Sequence, residues 1–314
     1  MKMLLSCIST QHSLLKQHWE KSREEIACPV TVLGSFQKPK DNKAGLLSLL
    51  DESGRPQQAA ALPSPTGMVR SADGRVLVAT ATAIHRLEPD LSAVEQDAVT
   101  LPLFNVLHSL SRTQRGYLVA STGVDALAEF DEAGNLLWDW WATDHGFTMT
   151  PVGVPRVLDK TVDQRAVKYG TLEQTTHVNS VAELPDGRIL ATLFHQGSVI
   201  IIDRESGTWQ TVLEGLNHPH AVRILDEQHF TVADTGNGRA LLVSLVDSLG
   251  RIVLEVKADT DWLQDCQYSE RDDCWFLVDG KNSRILLYSG ISGYKPAERI
   301  DLDPEWRLYE LLLL

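Results

Sequence analysis

The sequence predicts an all-β protein, a six-bladed β-propeller with a short N-terminal helical insertion and a long lid-like loop. Three observations carry this prediction. Short apolar runs are separated by Gly, Pro and Asp turns, the same pattern returns roughly every 40 to 45 residues, and each unit contains four runs. With 314 residues, 43% of them hydrophobic, the chain can bury one large core, so we expect a single domain over residues 1–314.

The first part of the chain is expected to hold one helix among short strands. Residues 11–26 read Q-H-S-L-L-K-Q-H-W-E-K-S-R-E-E-I, which places Leu14, Leu15 and Trp19 loosely on one face of a helix. Four apolar runs are typical of strands, at 2–8, 30–36, 45–50 and 57–62. We expect these four to form one antiparallel sheet, with the helix as an insertion.

The next two units are followed by a long departure from the repeat. Residues 68–101 and 106–140 each give four strands around short turns. Residues 142–174 then show no clean period and begin A-T-D-H-G-F-T-M-T-P-V-G-V-P. Loops of this length in a compact domain are usually functional. The apolar and aromatic residues in and beside the segment favour an ordered lid, which carries His145.

The stretch from Thr176 to Arg239 contains two copies of one pattern. The first copy reads T-H-V-N-S-V-A-E-L-P-D-G-R-I-L-A-T-L-F-H-Q-G-S-V-I-I-I-D, and the second reads N-H-P-H-A-V-R-I-L-D-E-Q-H-F-T-V-A-D-T-G-N-G-R. Each copy has a His-bearing loop followed by apolar runs joined by turns. This order predicts antiparallel hairpins.

The last two units share a polar motif. The segment D-T-G-N-G-R contains Asp234, Asn237 and Arg239, and D-G-K-N-S-R repeats these residue types 45 residues later. Asn and Gly adopt the left-handed conformations that tight turns need, so we expect the motif to brace turns between strands. The apolar tail at 306–314 is expected to add to a sheet edge or to cover one.

The D-x-x-N-x-R pair resembles the NHL repeat, and the plan of the chain resembles the six-bladed propellers of the NHL, SMP-30/gluconolactonase and strictosidine synthase-like families. The resemblance implies six blades around a central channel, with the first strand of each blade lining that channel. Residues at one position in successive blades then form a ring around a single axis.

One position of the repeat carries side chains that bind metals. In successive units it is Gly67, His108, Asn179, His220 and Asp265, at intervals of 41, 71, 41 and 45 residues. The longest interval is one blade plus the insertion. Two imidazoles, an amide and a carboxylate that converge on the axis predict a metal site formed by His108, Asn179, His220 and Asp265.

This ring resembles the metal site of the SMP-30/gluconolactonase family, in which a carboxylate, two Asn and an Asp from different blades hold a divalent ion. Asn179 and Asp265 match the oxygen ligands of that pattern, whereas His108 and His220 depart from it. Two imidazoles favour zinc, iron, manganese or copper over calcium.

Three further histidines are candidate catalytic residues. His177 and His218 lie two residues before ring positions, and side chains two residues apart share a face of a strand. We expect them to orient the ligands or to bind the ion themselves. A competing site would use His108, His177 and His220, a three-His set of the kind found in iron and copper enzymes. His145, carried by the lid, is a candidate general base or extra ligand.

Composition excludes several classes of partner. The formal net charge of −13 leaves no basic stripe for nucleic acid and disfavours binding to anionic lipid. Four cysteines without a CxxC motif predict reduced thiols and a cytoplasmic protein. The nucleophile elbow, the Walker loop and the dinucleotide-binding glycine motif do not occur in the sequence.

The sequence therefore predicts a metal-dependent enzyme that acts on a small organic substrate by hydrolysis, lactone opening, elimination or cyclisation, with the ion on the propeller axis. The first alternative is a non-haem iron or copper oxidative enzyme that uses the same histidines. The second is a metal-free binding or scaffold propeller of the NHL type. The residues leave the substrate and the oligomeric state open.

Overall fold

Six four-stranded sheets make up the computed structural model, which describes residues 2–26, 45–292 and 295–314. Neighbouring strands are antiparallel in every sheet of this part of the chain. The sheets follow one another as the blades of a six-bladed β-propeller. The predicted fold class is confirmed.

The N-terminal region contributes three strands and a helix, which begins one residue later than predicted: β1 (Met3–Ser9), α1 (His12–Ile26), β2 (Leu46–Leu50) and β3 (Pro56–Ala61). The strand expected at 30–36 lies outside the described residues.

Five blades are formed by four consecutive strands each, and the first strand of each blade is the one nearest the channel. Blade 1 contains β4 (Met68–Arg70), β5 (Val76–Ala79), β6 (Ile84–Leu87) and β7 (Val94–Val99). Blade 2 contains β8 (Leu107–Arg112), β9 (Tyr117–Ser121), β10 (Ala126–Phe130) and β11 (Leu136–Trp141). Blade 3 contains β12 (Val178–Glu183), β13 (Ile189–Leu193), β14 (Ser198–Ile202) and β15 (Trp209–Leu213). Blade 4 contains β16 (His220–Ile224), β17 (His229–Asp234), β18 (Arg239–Val246) and β19 (Leu249–Lys257). Blade 5 contains β20 (Leu263–Ser269), β21 (Cys274–Asp279), β22 (Arg284–Ser289) and β23 (Lys295–Asp301).

Blade 6 combines the two ends of the chain. Its inner strand, β24 (Arg307–Leu313), pairs with β1 and gives the order β24-β1-β2-β3. Met3 pairs with Leu313, and Leu5 pairs with Leu311. The tail therefore adds to a sheet edge, as expected. Because the first and last strands share one sheet, backbone hydrogen bonds close the ring.

Six hydrophobic cores each lie between two successive blades. In β9, Tyr117 and Val119 pack toward blade 1, whereas Leu118 and Ala120 pack toward blade 3. A middle strand of a blade is therefore covered on both faces. This explains why the apolar runs in the sequence are continuous and do not alternate with polar residues, as they would in a sheet with one solvated face.

The polar motif of the last two units braces its turns as expected. Asp234 Oδ2 accepts hydrogen bonds from Asn237 Nδ2 at 2.9 Å and from Arg239 Nε at 2.6 Å. The second copy has the same arrangement around Asp279, at 2.9 and 2.8 Å. Both aspartates are fully buried, so these bonds satisfy carboxylates that would otherwise be costly to bury.

Three cysteines of the described residues, Cys7, Cys266 and Cys274, are buried thiols without a disulfide. Burial raises the pKa of Cys7 and of Cys266. Protonated, buried thiols are unreactive. In the same part of the chain, no helix has both the length and the apolar character needed to cross a membrane.

Candidate functional site

A cluster of histidines lies at the mouth of the channel where the inner strands begin. His108 is the second residue of β8, His177 directly precedes β12, and His220 is the first residue of β16. His195 follows β13, and His218 precedes β16. The repeat thus brings imidazoles from blades 2, 3 and 4 to one end of the channel.

His177 is the centre of this cluster. Its ring centroid lies 5.0 Å from that of His108, 5.7 Å from that of His195 and 4.7 Å from that of Phe194. The His177 backbone is left-handed, with φ at +48°. This conformation is uncommon for a residue with a side chain and needs support from its surroundings.

Aromatic contacts continue from Phe194 to blade 5. The Phe194 ring stacks on His218 at 4.1 Å and lies 5.8 Å from His220. Trp262, in the loop before β20, is 6.1 Å from each of these histidines. The guanidinium carbon of Arg307 lies 5.8 Å from the Trp262 ring, which is within cation–π distance.

The inner strand of blade 6 closes the ring of side chains. Arg307 is the first residue of β24, and the ring of Tyr309 lies 5.9 Å from that of His108. Burial lowers the pKa of Arg307 to about 10, so the guanidinium stays charged at neutral pH. The cluster is thus surrounded by blades 2 to 6, and Arg307 adds a buried positive charge to it.

Hydrogen bonds at Nδ1 set the tautomer of three histidines. Nδ1 of His108 and Nδ1 of His220 each donate to the carbonyl oxygen two residues earlier, both at 2.9 Å. Nδ1 of His177 is bonded to the side-chain amide oxygen of Gln174. An amide oxygen can only accept, so Nδ1 carries the proton. The lone pair of each neutral ring is therefore on Nε2.

Burial keeps four imidazoles of the cluster neutral, those of His177, His195, His218 and His220. It lowers the pKa of His220 to about 3 and that of His177 well below 6.5, and the neighbouring imidazoles lower the pKa of His177 further. Burial also lowers the pKa of His195 and of His218. Neutral imidazoles bind metal ions and accept protons, whereas charged ones do neither.

The buried imidazole of His220 should make stability depend on pH. Between pH 6.5 and about 3, the unfolded chain binds a proton at His220 that the folded protein does not bind. The free energy of unfolding is therefore unaffected by this group above pH 6.5 and decreases as pH falls below it. The slope is at most about 1.4 kcal/mol per pH unit. In urea titrations, the unfolding free energy of wild type relative to that of His220→Gln should therefore decrease from pH 7 to pH 5.

The difference between the two proteins is the informative quantity, because burial raises the pKa of Glu310 to about 8 and this group titrates with the opposite sign in both. Leu249→Ala is the control, because Leu249 is 67% exposed and does not titrate, so its replacement should leave the pH slope unchanged. A His220→Gln slope equal to that of wild type would mean that His220 is not buried in its neutral form.

The predicted ligands Asn179 and Asp265 occupy different places. Asn179 is the unpaired residue of an irregularity in β12, and its Oδ1 is buried without a partner in the described part of the chain. In β20 the same unpaired place is taken by Gln264, so Asp265 lies one residue further along the strand. Spacing in the sequence does not reveal such a one-residue shift.

Asp265 belongs to an ion-pair cluster within the channel. Its carboxylate accepts from Arg223 Nη2 at 2.9 and 3.0 Å and from the Leu311 backbone amide at 2.9 Å. Glu310 lies 3.7 Å from the same guanidinium and accepts from the Met68 amide at 2.8 Å. These bonds connect the inner strands of blades 4, 5, 6 and 1.

Further along the inner strands, the channel contains a cavity of about 320 Å³. Four buried polar atoms on its lining residues have no hydrogen-bond partner in the described part of the chain: Ser109 Oγ, Ser111 Oγ, Arg223 Nε and Gln267 Oε1. A polar cavity of this size suits water molecules.

The insertion at 142–174 is ordered, with short 3-10 helices at Ala142–His145, Gln164–Ala166 and Thr171–Glu173. The last of these touches the cluster, because the Thr171 carbonyl accepts from His195 Nε2 at 2.9 Å. The insertion therefore forms part of the wall around the histidines.

His145 lies away from the cluster. Its ring stacks on Trp140 with the centroids 4.9 Å apart and the planes 7° apart. Its carbonyl accepts from Trp209 Nε1 at 2.8 Å. Both tryptophans belong to outer strands, so His145 attaches the start of the insertion to the edges of blades 2 and 3.

Sequence reasoning missed five residues of the cluster: Phe194, His195, Trp262, Arg307 and Tyr309. A signal existed for the last two. The interval of 41 to 45 residues, continued beyond Asp265, reaches 306–310, which contains Arg307 and Tyr309. Phe194 and Trp262 lie in turns, where the strand pattern carries no information.

Neither a protein family nor a characterised sequence matches this chain. Solved structures do match it. A protein of unknown function from Bacteroides caccae has a TM-score of 0.60 and 12% identity, over 89% of this chain and 96% of the other. A periplasmic gluconolactonase from Pseudomonas aeruginosa has a TM-score of 0.54 and 12% identity, over 99% and 98%.

A chain of the nidogen/laminin complex is similar to the same degree, with a TM-score of 0.59 and 11% identity over 99% and 97% of the two chains. Identities this low show the fold alone. The chain therefore shares the propeller fold with these proteins, and its activity has to be argued from its own side chains.

Proposed function

We propose that the protein is an enzyme of the hydrolase or lyase type that acts on a small organic substrate at the histidine cluster, with a divalent metal ion held there by imidazole nitrogens. The supporting observation is the shared tautomer of His108, His177 and His220. Each has its Nδ1 bonded to an oxygen acceptor, so each carries its lone pair on Nε2. A hydrogen bond of this kind orients metal-binding histidines and raises their basicity.

The donor set that fits is three imidazoles and one amide oxygen. Asn179 contributes the oxygen, because its buried Oδ1 has no partner in the described residues. Asp265 would have to leave Arg223 and the Leu311 amide, so we do not include it. No three His, Cys, Asp or Glu side chains among the described residues are positioned to hold an ion as they stand. Binding would therefore have to draw the rings together.

A zinc or manganese ion bound at these nitrogens would polarise a carbonyl group or lower the pKa of a water molecule. The chain's own side chains supply the remaining functions. His218, half-buried and neutral, is placed to accept a proton while it stacks on Phe194. Arg307 would attract negative charge on the substrate, and Trp262 would contact its apolar part.

Two other functions compete with this one. Iron or copper also binds sets of three imidazoles, and either metal would support oxidative chemistry. A scaffold propeller needs no metal. One observation argues against the scaffold alternative. The fold buries several neutral imidazoles in one cluster, and burial of polar rings costs free energy that a scaffold has no reason to spend.

Elemental analysis of protein purified without a His-tag tests the proposal. We expect about one divalent ion per chain, retained through gel filtration and removed by a chelator. Turnover should be measured on a panel of lactones and esters with the loaded protein, the chelated protein and the chelated protein after metal is added back.

The outcomes separate the competing functions. Zinc or manganese with lactone or ester turnover supports the proposal. Iron or copper with oxygen consumption favours the oxidative alternative. A protein that binds none of these ions after incubation with each in excess would overturn the proposed donor set, and the scaffold reading would replace it.

A further inference from the structure

The buried carboxylate of Asp125 holds the segment that carries His177. Asp125 follows a 3-10 turn at Thr122–Val124 in blade 2 and is fully buried. Its Oδ1 accepts from the backbone amides of Thr176 at 2.9 Å and His177 at 2.7 Å. Its Oδ2 accepts from the Thr175 amide at 2.7 Å. Three consecutive amides thus converge on one carboxylate.

The same carboxylate binds the insertion. Arg156 Nη1 donates to Asp125 Oδ2 at 2.7 Å and to the Glu173 carbonyl at 2.8 Å, and Nη2 donates to the Gly123 carbonyl. The Arg156 side chain is buried, and the Tyr169 ring lies 4.8 Å from its guanidinium carbon. The ion pair therefore ties the middle of the insertion to its C-terminal end and to blade 2.

We propose that Asp125 is a positioning residue that couples the closed arrangement of the insertion to the orientation of His177. His177 has a left-handed backbone, and the hydrogen bond from its backbone N–H to Asp125 helps to hold that conformation. Its Nδ1 is bonded to Gln174, in the segment that Arg156 attaches through Glu173. Release of the ion pair should therefore loosen both the backbone and the imidazole ring of His177.

This inference depends on the proposed function only for the catalytic role that the latter gives to His177. The coupling itself can be measured without substrate or metal, so the two can fail separately. The chain also offers a matched control. Asp279 is as deeply buried as Asp125 and accepts several hydrogen bonds, including those from Asn282 and Arg284, but it braces a turn in blade 5, away from the insertion.

Asp125→Asn and Asp279→Asn are the variants to compare. Asn keeps the shape but replaces one acceptor oxygen by an NH2 group that cannot accept from amides. We expect roughly tenfold faster proteolysis within residues 156–174 for Asp125→Asn, because local opening governs cleavage. We also expect its His177 ring resonances to shift, because the backbone that positions the ring is released. Asp279→Asn should change neither.

If substrate turnover is established, Asp125→Asn should lower kcat more than it raises KM, since the substrate contacts remain. Unchanged proteolysis and unchanged His177 resonances in Asp125→Asn would overturn the proposal. If that variant does not fold, Arg156→Gln decides the question, with Arg156→Lys as the conservative variant. Opening of the insertion in Arg156→Gln without any change at His177 would show that the two are not coupled. A joint change, reversed in part by Lys, would support the coupling.

Discussion

Replacing His108 or His220 by Ala is expected to abolish turnover and metal binding while the propeller stays folded. Each imidazole comes from a different blade, so the loss of one leaves a bound ion with too few ligands. Replacement of residues that only support a metal ligand typically costs 10- to 100-fold, so we expect a loss of more than about 100-fold in kcat/KM here. Metal content should fall in parallel.

The fold should survive these changes, because each blade is held by cores that do not include these histidines. Circular dichroism and urea unfolding would check this. His229→Ala is the control, since His229 is partly exposed in blade 4 and paired with Asp226. Full activity in both His108→Ala and His220→Ala would rule out the metal-dependent enzyme.

Deleting residues 307–314 is expected to abolish the native fold. Among the described residues, β24 is the strand that pairs with β1 on the channel side of blade 6. Its side chains Leu308 and Leu311 are buried in the core between blades 5 and 6. It also carries Glu310, which bonds to the Met68 amide in blade 1. Heteronuclear NMR and analytical gel filtration should show loss of dispersed signals and an expanded or aggregated chain.

A single substitution measures how much the same strand contributes to stability. Leu308 is fully buried, so Leu308→Ala should lower the free energy of unfolding by about 2–5 kcal/mol. Leu249, 67% exposed at the start of an outer strand, provides the control, and Leu249→Ala should be nearly neutral.

A truncated chain that kept its dispersed spectrum would show that blade 6 is complete without β24.

The fold was predictable because turn chemistry and strand pattern are local properties. The Asp-x-x-Asn-x-Arg motif fixes a turn through bonds within six residues, and its two copies have the same geometry. Pairing over long distances is different. The sequence pattern alone does not pair 307–313 with β1, because the two strands lie at opposite ends of the chain.

The histidines could be predicted in part for the same reason. His108, Asn179 and His220 follow the repeat, and the structure brings His108, His177 and His220 into one cluster. Asp265 differs because blade 5 is shifted by one residue at its irregularity. The roles of Asp125 and Arg156 depend on the path of the insertion, and that path follows no repeat.

The placement of six hydrophobic cores between successive blades has a consequence for how the protein unfolds. In an open array of repeats, each end repeat has one neighbour, and unfolding begins there. In this ring the first strands share a sheet with the last, so every blade has two neighbours and none is terminal. Loss of any blade exposes two cores at once. Melting should therefore proceed as one cooperative transition, without fraying inward from an end.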